Sequence, residues 1–242
     1  MTIFKLAAPD AIGHGLLCIC CAAAACAAVI VLIRICFHIS AELMRKLLHL
    51  SVIAALAAWL YGFADWKLAE LTMAVFLVVV YLLLVLLEKQ SLFSILKRLT
   101  SERSPGELRK SLCAACLMFM LLVAVCWGWL GERRLALAAI LAWGPGDAAA
   151  ALIGKRYGKT KLGKAKKKSL EGSLAMFTLS FLGVLIVLLW GGAFAFGKAL
   201  CIAVLTAAVS TAVEFWVLNG FDTFFCPTAA MIVLCLARLL WT

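Results

Sequence analysis

An aspartate stands inside an apolar run at position 147, directly after Gly144-Pro145-Gly146 and before four alanines, Ala148 to Ala151. A carboxylate at membrane depth is costly unless a cation, a proton or a water-filled cavity meets it, so Asp147 is a site candidate by default. It precedes Gly154 by seven residues, roughly 10 Å of helix rise. The Gly-Pro-Gly triplet is expected to break the helix just ahead of it, and irregular backbone inside a membrane survives only beside a cavity or packed protein. The alanines let neighbouring helices approach closely. The competing reading is a structural aspartate satisfied by those neighbours.

Further on comes Lys166-Lys167-Lys168-Ser169-Leu170-Glu171-Gly172-Ser173, where lysines run straight into the start of an apolar run. Ser169 is placed to cap that helix. Its free N–H groups and positive dipole end form an anion site, and lysines beside it read as a phosphate cradle. An ordinary basic flank is the plainer alternative. Glu214 lies near the end of another apolar run. Asp222 follows in what reads as a short loop, Asn219-Gly220-Phe221-Asp222, free of lysine and arginine, with Pro227 beyond it. Asp147, Glu214 and Asp222 thus offer three hard oxygen donors on one side, which suits Mg²⁺ carrying nucleotide phosphates. A last group, Glu42, Arg45, Lys46 and His49, shares one helical face. Glu42 can pair with Arg45 or Lys46 and leave the other cation for a phosphate, or the group is a snorkelling anchor with its counter-ion.

These residues must be positioned by helices in lipid. The chain has 242 residues, of which 66% are hydrophobic and 14% charged, with a mean hydropathy of +1.10. Soluble domains are about half apolar and about a quarter charged, so one water-surrounded core cannot hide this much apolar surface. Apolar runs fall at 11–37, 47–64, 68–87, 111–130, 135–153, 173–190, 197–218 and 228–241. Each suits a span, although the last is short enough to be re-entrant or tilted. The expected fold is an all-α polytopic transmembrane bundle of about seven to eight spans, forming a single integral membrane domain over 1–242. The first run is longer than a signal peptide's apolar core and is expected to stay in the membrane.

The net charge of +11 points to a membrane surface and not to nucleic acid, because the basic residues gather in loops. With eight spans, 17 of the 23 lysines and arginines fall on the side holding the loops after spans one, three, five and seven. That side is expected to be cytoplasmic, with both termini opposite. It carries an amphipathic segment at 88–110, with Leu92, Ile95, Leu96 and Leu99 at helical spacing, and the basic loop 154–172. Gly154-Lys155-Arg156-Tyr157-Gly158-Lys159-Thr160 is not a P-loop: its glycines are one residue too close, and it follows a membrane helix instead of a strand. The eleven cysteines lie largely in apolar runs without paired metal-ligand spacing and read as small hydrophobes.

Taken together, Glu42-x-x-Arg45-Lys46-x-x-His49, Gly146-Asp147-Ala148-x-Ala150-x-x-x-Gly154-x-x-x-Gly158, Lys168-Ser169-Leu170-Glu171-Gly172-Ser173, and Glu214 with Asp222 and Pro227 resemble the phytol kinase, dolichol kinase and CTP-dependent diacylglycerol kinase family. The resemblance runs from about Glu42 to the end of the chain. Pro145 before Gly-Asp and Thr223 after Asp222 depart from the family pattern.

The resemblance implies transfer of the γ-phosphate of CTP to a lipid alcohol (a prenyl alcohol or diacylglycerol) drawn from the bilayer. In that scheme Asp147 binds Mg²⁺, shared with Asp222. Lys166, Lys167, Lys168 and the Ser169-Leu170-Glu171-Gly172 helix start hold the phosphates, and Arg45 and Lys46 steady the transferred group. Either Glu214 or Asp222 takes the hydroxyl proton. Two alternatives stay open: a phosphatidate cytidylyltransferase-like CMP transfer, and a non-enzymatic transporter or membrane scaffold in which Asp147 is an ion or proton site.

Overall fold

The computed structural model describes residues 40–88, 106–162, 168–190, 194–217 and 221–241, with six isolated positions before residue 40. The expected span 11–37, most of the 88–110 segment, and Lys166, Lys167, Asn219 and Gly220 lie outside the described residues. Helix α1 is Ala41–Gly62 and α2 is Trp66–Leu87. Helix α3 is Glu107–Leu122 and continues as a π-helix, Val123–Trp129. Then follow α4 (Arg133–Tyr157), the two-residue strands β1 (Lys161–Leu162) and β2 (Lys168–Ser169), α5 (Leu170–Trp190), α6 (Phe196–Trp216) and α7 (Asp222–Trp241). Seven helices among the described residues are long and apolar enough to cross a membrane. In hydrocarbon each backbone N–H and C=O must pair within its own segment, so apolar runs of this length become helices. The protein is a polytopic all-α membrane protein.

The chain divides into two compact units, 1–120 and 121–242. In the first, Ser40 caps α1, its hydroxyl accepting the N–H of Leu43 at 3.3 Å. Asp65 does the same for α2 through Lys67 at 3.2 Å. Trp59 of α1 lies against the rings of Phe76 on α2 and Phe119 on α3, at 5.6 and 6.4 Å between centroids. Arg109 pairs with Glu88 at 3.0 Å and covers the Tyr81 ring, tying the end of α2 to the start of α3.

The second unit holds the candidate site. Each of α4 to α7 packs on its neighbour in the chain, and α7 returns to α4, closing an up-down-up-down four-helix bundle. At one end Glu132 faces Arg134 and Arg238 at 3.6 and 3.7 Å, and Lys198 donates to the Trp241 carbonyl. At the other end lie the β1–β2 hairpin and the exposed Trp216 and Phe221. Exposed aromatics at a helix end mark the headgroup level of a bilayer.

Three expectations change. The Gly144-Pro145-Gly146 triplet does not break its helix, because α4 runs unbroken from Arg133 to Tyr157. Pro145 has no N–H for the Leu141 carbonyl and its ring crowds that turn. Hydroxyls from two other helices serve the carbonyl beside it: Ser180 of α5 and Ser210 of α6 both donate to Ala142 O. Asp222 is not in a loop but is the first residue of α7. The last apolar run is likewise no short re-entrant piece, since those extra residues make α7 a 20-residue helix.

Candidate functional site

The site begins with a seam of small residues between α4 and α5. A Cβ added at Gly172 would stand 2.8 Å from the Ala150 carbonyl oxygen and 3.2 Å from Gly154 Cα. One at Gly154 would meet the Ser169 hydroxyl at 2.9 Å, and one at Gly146 the Ser180 hydroxyl at 2.6 Å. Backbone lies against backbone here, the geometry small residues permit between membrane helices. Gly154 and Gly158, the glycines of the rejected P-loop, both abut Ser169.

The hairpin is fastened to that seam. Lys161 pairs with Ser169 and Leu162 with Lys168 in an antiparallel ladder. The Leu170 N–H donates to the Thr160 carbonyl at 3.0 Å. Ser169 caps α5, its hydroxyl accepting the Gly172 N–H at 3.2 Å, as its position before the apolar run requires. One oxygen of Glu171 accepts the backbone N–H groups of Lys159 and Thr160, each at 3.1 Å. Glu171 therefore holds the strand that leads into the loop.

Four charged residues from four elements come near one another beside the seam. Lys168 of β2 lies 2.7 Å from the Glu214 carboxylate of α6, and also donates to the backbone carbonyls of Glu214 and Val217. Asp147 of α4 and Asp222 of α7 are close enough for their charges to act on Glu214. Helix geometry agrees. Helices α4 and α6 run the same way, and Ser210 touches Ala142. From that contact Asp147 is five residues up α4 and Glu214 four up α6, roughly 7.5 and 6 Å of rise, so the two carboxylates stand at nearly one level. Asp147 is 8% exposed, and the Glu214 side chain 12%. Both are sheltered from bulk water yet sit below the hairpin end of the bundle.

Of the expected site residues, the structure brings Lys168 into contact with Glu214 and sets Asp147 and Asp222 near enough for their charges to act on it, with Ser169, Glu171 and Gly172 building the frame on the hairpin side. Arg45 and Lys46 belong to the first unit, where Arg45 pairs with Glu42 at 2.9 Å. No three histidine, cysteine, aspartate or glutamate side chains converge as a metal cage among the described residues. A pair of carboxylates with phosphate oxygens completing the shell is the arrangement Mg²⁺ favours. Sequence reasoning missed Ser180 and Ser210, although two serines inside apolar helices are a signal for a backbone acceptor elsewhere.

No family model and no solved structure matches the chain. A maize (Zea mays) protein described as "Probable phytol kinase, chloroplastic" is 33% identical over 89 residues, which make up 37% of this chain and 28% of that protein. The chain thus spans little more than a quarter of the length of this relative.

Proposed function

We propose that the protein is a lipid-alcohol kinase that moves the γ-phosphate of CTP to a hydroxyl of a membrane lipid, of the phytol, polyprenol/dolichol or diacylglycerol class. The observation that carries this reading is the convergence of Asp147, Glu214, Asp222 and Lys168 at one end of a membrane bundle. Exposed Trp216 and Phe221 favour headgroup depth for that end, where a lipid hydroxyl lies. The partial likeness to a protein named as a phytol kinase points the same way.

The hard oxygens of Asp147 and Asp222 fit Mg²⁺, which when bound neutralises charge on the triphosphate and orients it. The protein's own contribution is position and electrostatics. The lysine-rich loop, with Lys166 and Lys167, supplies cations for the phosphates. A carboxylate of the cluster, Asp222 or Glu214, accepts the proton that the attacking hydroxyl loses. The basic loops favour a cytoplasmic setting for this face under the positive-inside rule. Purified protein, offered CTP, ATP or UTP with a panel of lipid alcohols, is expected to yield a lipid phosphate, and most from CTP. No lipid phosphate from any pairing would sink the proposal.

A further inference from the structure

We infer that Lys168 is a positioning residue that works through Glu214, and not a ligand of the nucleotide's phosphates. The inference rests on the kinase reading and changes how its lysines are divided. An ammonium has three protons, and those of Lys168 have three acceptors: the Glu214 carboxylate at 2.7 Å, the Glu214 carbonyl, and the Val217 carbonyl at 3.3 Å. The two carbonyls belong to the end of α6, where backbone acceptors run out of helical donors and the helix dipole favours a cation.

The surroundings are built to deliver this one charge. Lys168 is held in the β1–β2 ladder, Leu170 is tied to Thr160, and Glu171 anchors Lys159 and Thr160. To reach a phosphate, Lys168 would have to desert a sheltered carboxylate that already feels Asp147 and Asp222. Separating a sheltered pair leaves an uncompensated charge and is strongly unfavourable. Glu214 is in turn committed to Lys168. Its task is to hold the end of α6 in register, and the proton-accepting role falls to Asp222.

The test is a double-mutant cycle on the full chain with Lys168→Met, Glu214→Gln and the pair together. It reads kcat and KM for CTP well below the unfolding midpoint, and the midpoint itself in detergent. Each single change is expected to lower kcat on the order of tenfold, with the double no worse than the poorer single, because both break one interaction. KM for CTP should stay within about twofold, as expected when no ground-state contact to the nucleotide is lost. A KM for CTP that rises with Lys168→Met but not with Glu214→Gln, with the two effects multiplying, would make Lys168 a phosphate ligand and overturn the inference. An unchanged kcat with only a lowered midpoint would overturn it too, leaving a plain brace. If the wild-type protein transfers no phosphate, the kinase reading is what falls. Additive or non-additive midpoints of the same three variants then still decide whether Lys168 acts through Glu214.

Discussion

The Ser180 hydroxyl of α5 and the Ser210 hydroxyl of α6 converge on a single acceptor, the Ala142 carbonyl one turn before Pro145. Each can cover for the other. Ser180→Ala is therefore expected to cost about 0.5–1 kcal/mol, near the average for hydrogen bonds between membrane helices. The Ser180→Ala, Ser210→Ala double should cost more than the sum of the singles, because it removes both interhelical donors at once and leaves the carbonyl only its own helix's Gly146 N–H. Unfolding in mixed detergent reads both numbers. A double equal to the sum would mean that the second hydroxyl does not take over.

Gly172→Ala should destabilise by about 1–3 kcal/mol, the usual cost of overpacking. The new methyl would meet the Ala150 carbonyl and Gly154 Cα, and neither backbone can step aside without moving α4 from α5. Gly197→Ala, a helical glycine with nothing within 4 Å of its added Cβ, is the control. It should be neutral or slightly stabilising, since alanine restricts the unfolded chain. Equal losses at both positions would show that close contact at the seam does not set the effect.

Much of this was legible in the sequence, for reasons that differ by residue. The spans from α1 onward read directly from their apolar runs, because a bilayer imposes length and composition together. Asp147 stood out because a carboxylate in such a run needs a reason, and Ser169 because a helix start needs a cap. Pro145 misled. The sequence shows that a carbonyl loses its donor there but not that hydroxyls from Ser180 and Ser210, 38 and 68 residues from Ala142, come to the turn. Asp222 was assigned to a loop because the polar Asn219-Gly220 pair hid where the next helix began. Glu171 and Lys168 looked alike as members of a phosphate motif. Only tertiary contacts separate a carboxylate that binds backbone N–H groups from a lysine that binds a carboxylate.

Asp147→Asn should abolish turnover while the protein still inserts and purifies normally. The change is nearly isosteric, so the α4 packing survives, but a metal proposed to bind there loses a charged oxygen. Activity with Mg²⁺ and CTP, beside size-exclusion behaviour, separates chemistry from folding. Near-normal activity would remove Asp147 from the site and weaken the kinase reading with it.

The loop 154–172 is expected to face the cytoplasm, and the end of α7 the opposite side. A cysteine placed at Lys159 in a cysteine-free background should label from the cytoplasmic face. One at Lys198, whose ammonium reaches the Trp241 carbonyl, should label from the other. The reversed pattern would place the acidic cluster away from cytoplasmic nucleotide, and CTP could not be its donor.

Which phosphate moves is the sharpest test. The proposed carboxylates and lysines would accept a triphosphate in either direction, so the acceptor decides. A lipid hydroxyl must shed a proton as it attacks, and Asp222, the first residue of α7, is the base proposed to take it. A phosphatidate acceptor is already an anion, needs no such base, and would have to approach Asp147, Glu214 and Asp222 against their charge. The balanced reaction is therefore expected to be lipid alcohol plus CTP giving lipid phosphate, CDP and a proton, with the bond between the β–γ bridging oxygen and the γ-phosphorus breaking. CTP labelled on the γ-phosphate should pass its label to the lipid, and label on the α-phosphate should stay with the released CDP. Entry of the α-label into lipid together with pyrophosphate would make the protein a cytidylyltransferase, with its carboxylates serving the metal alone.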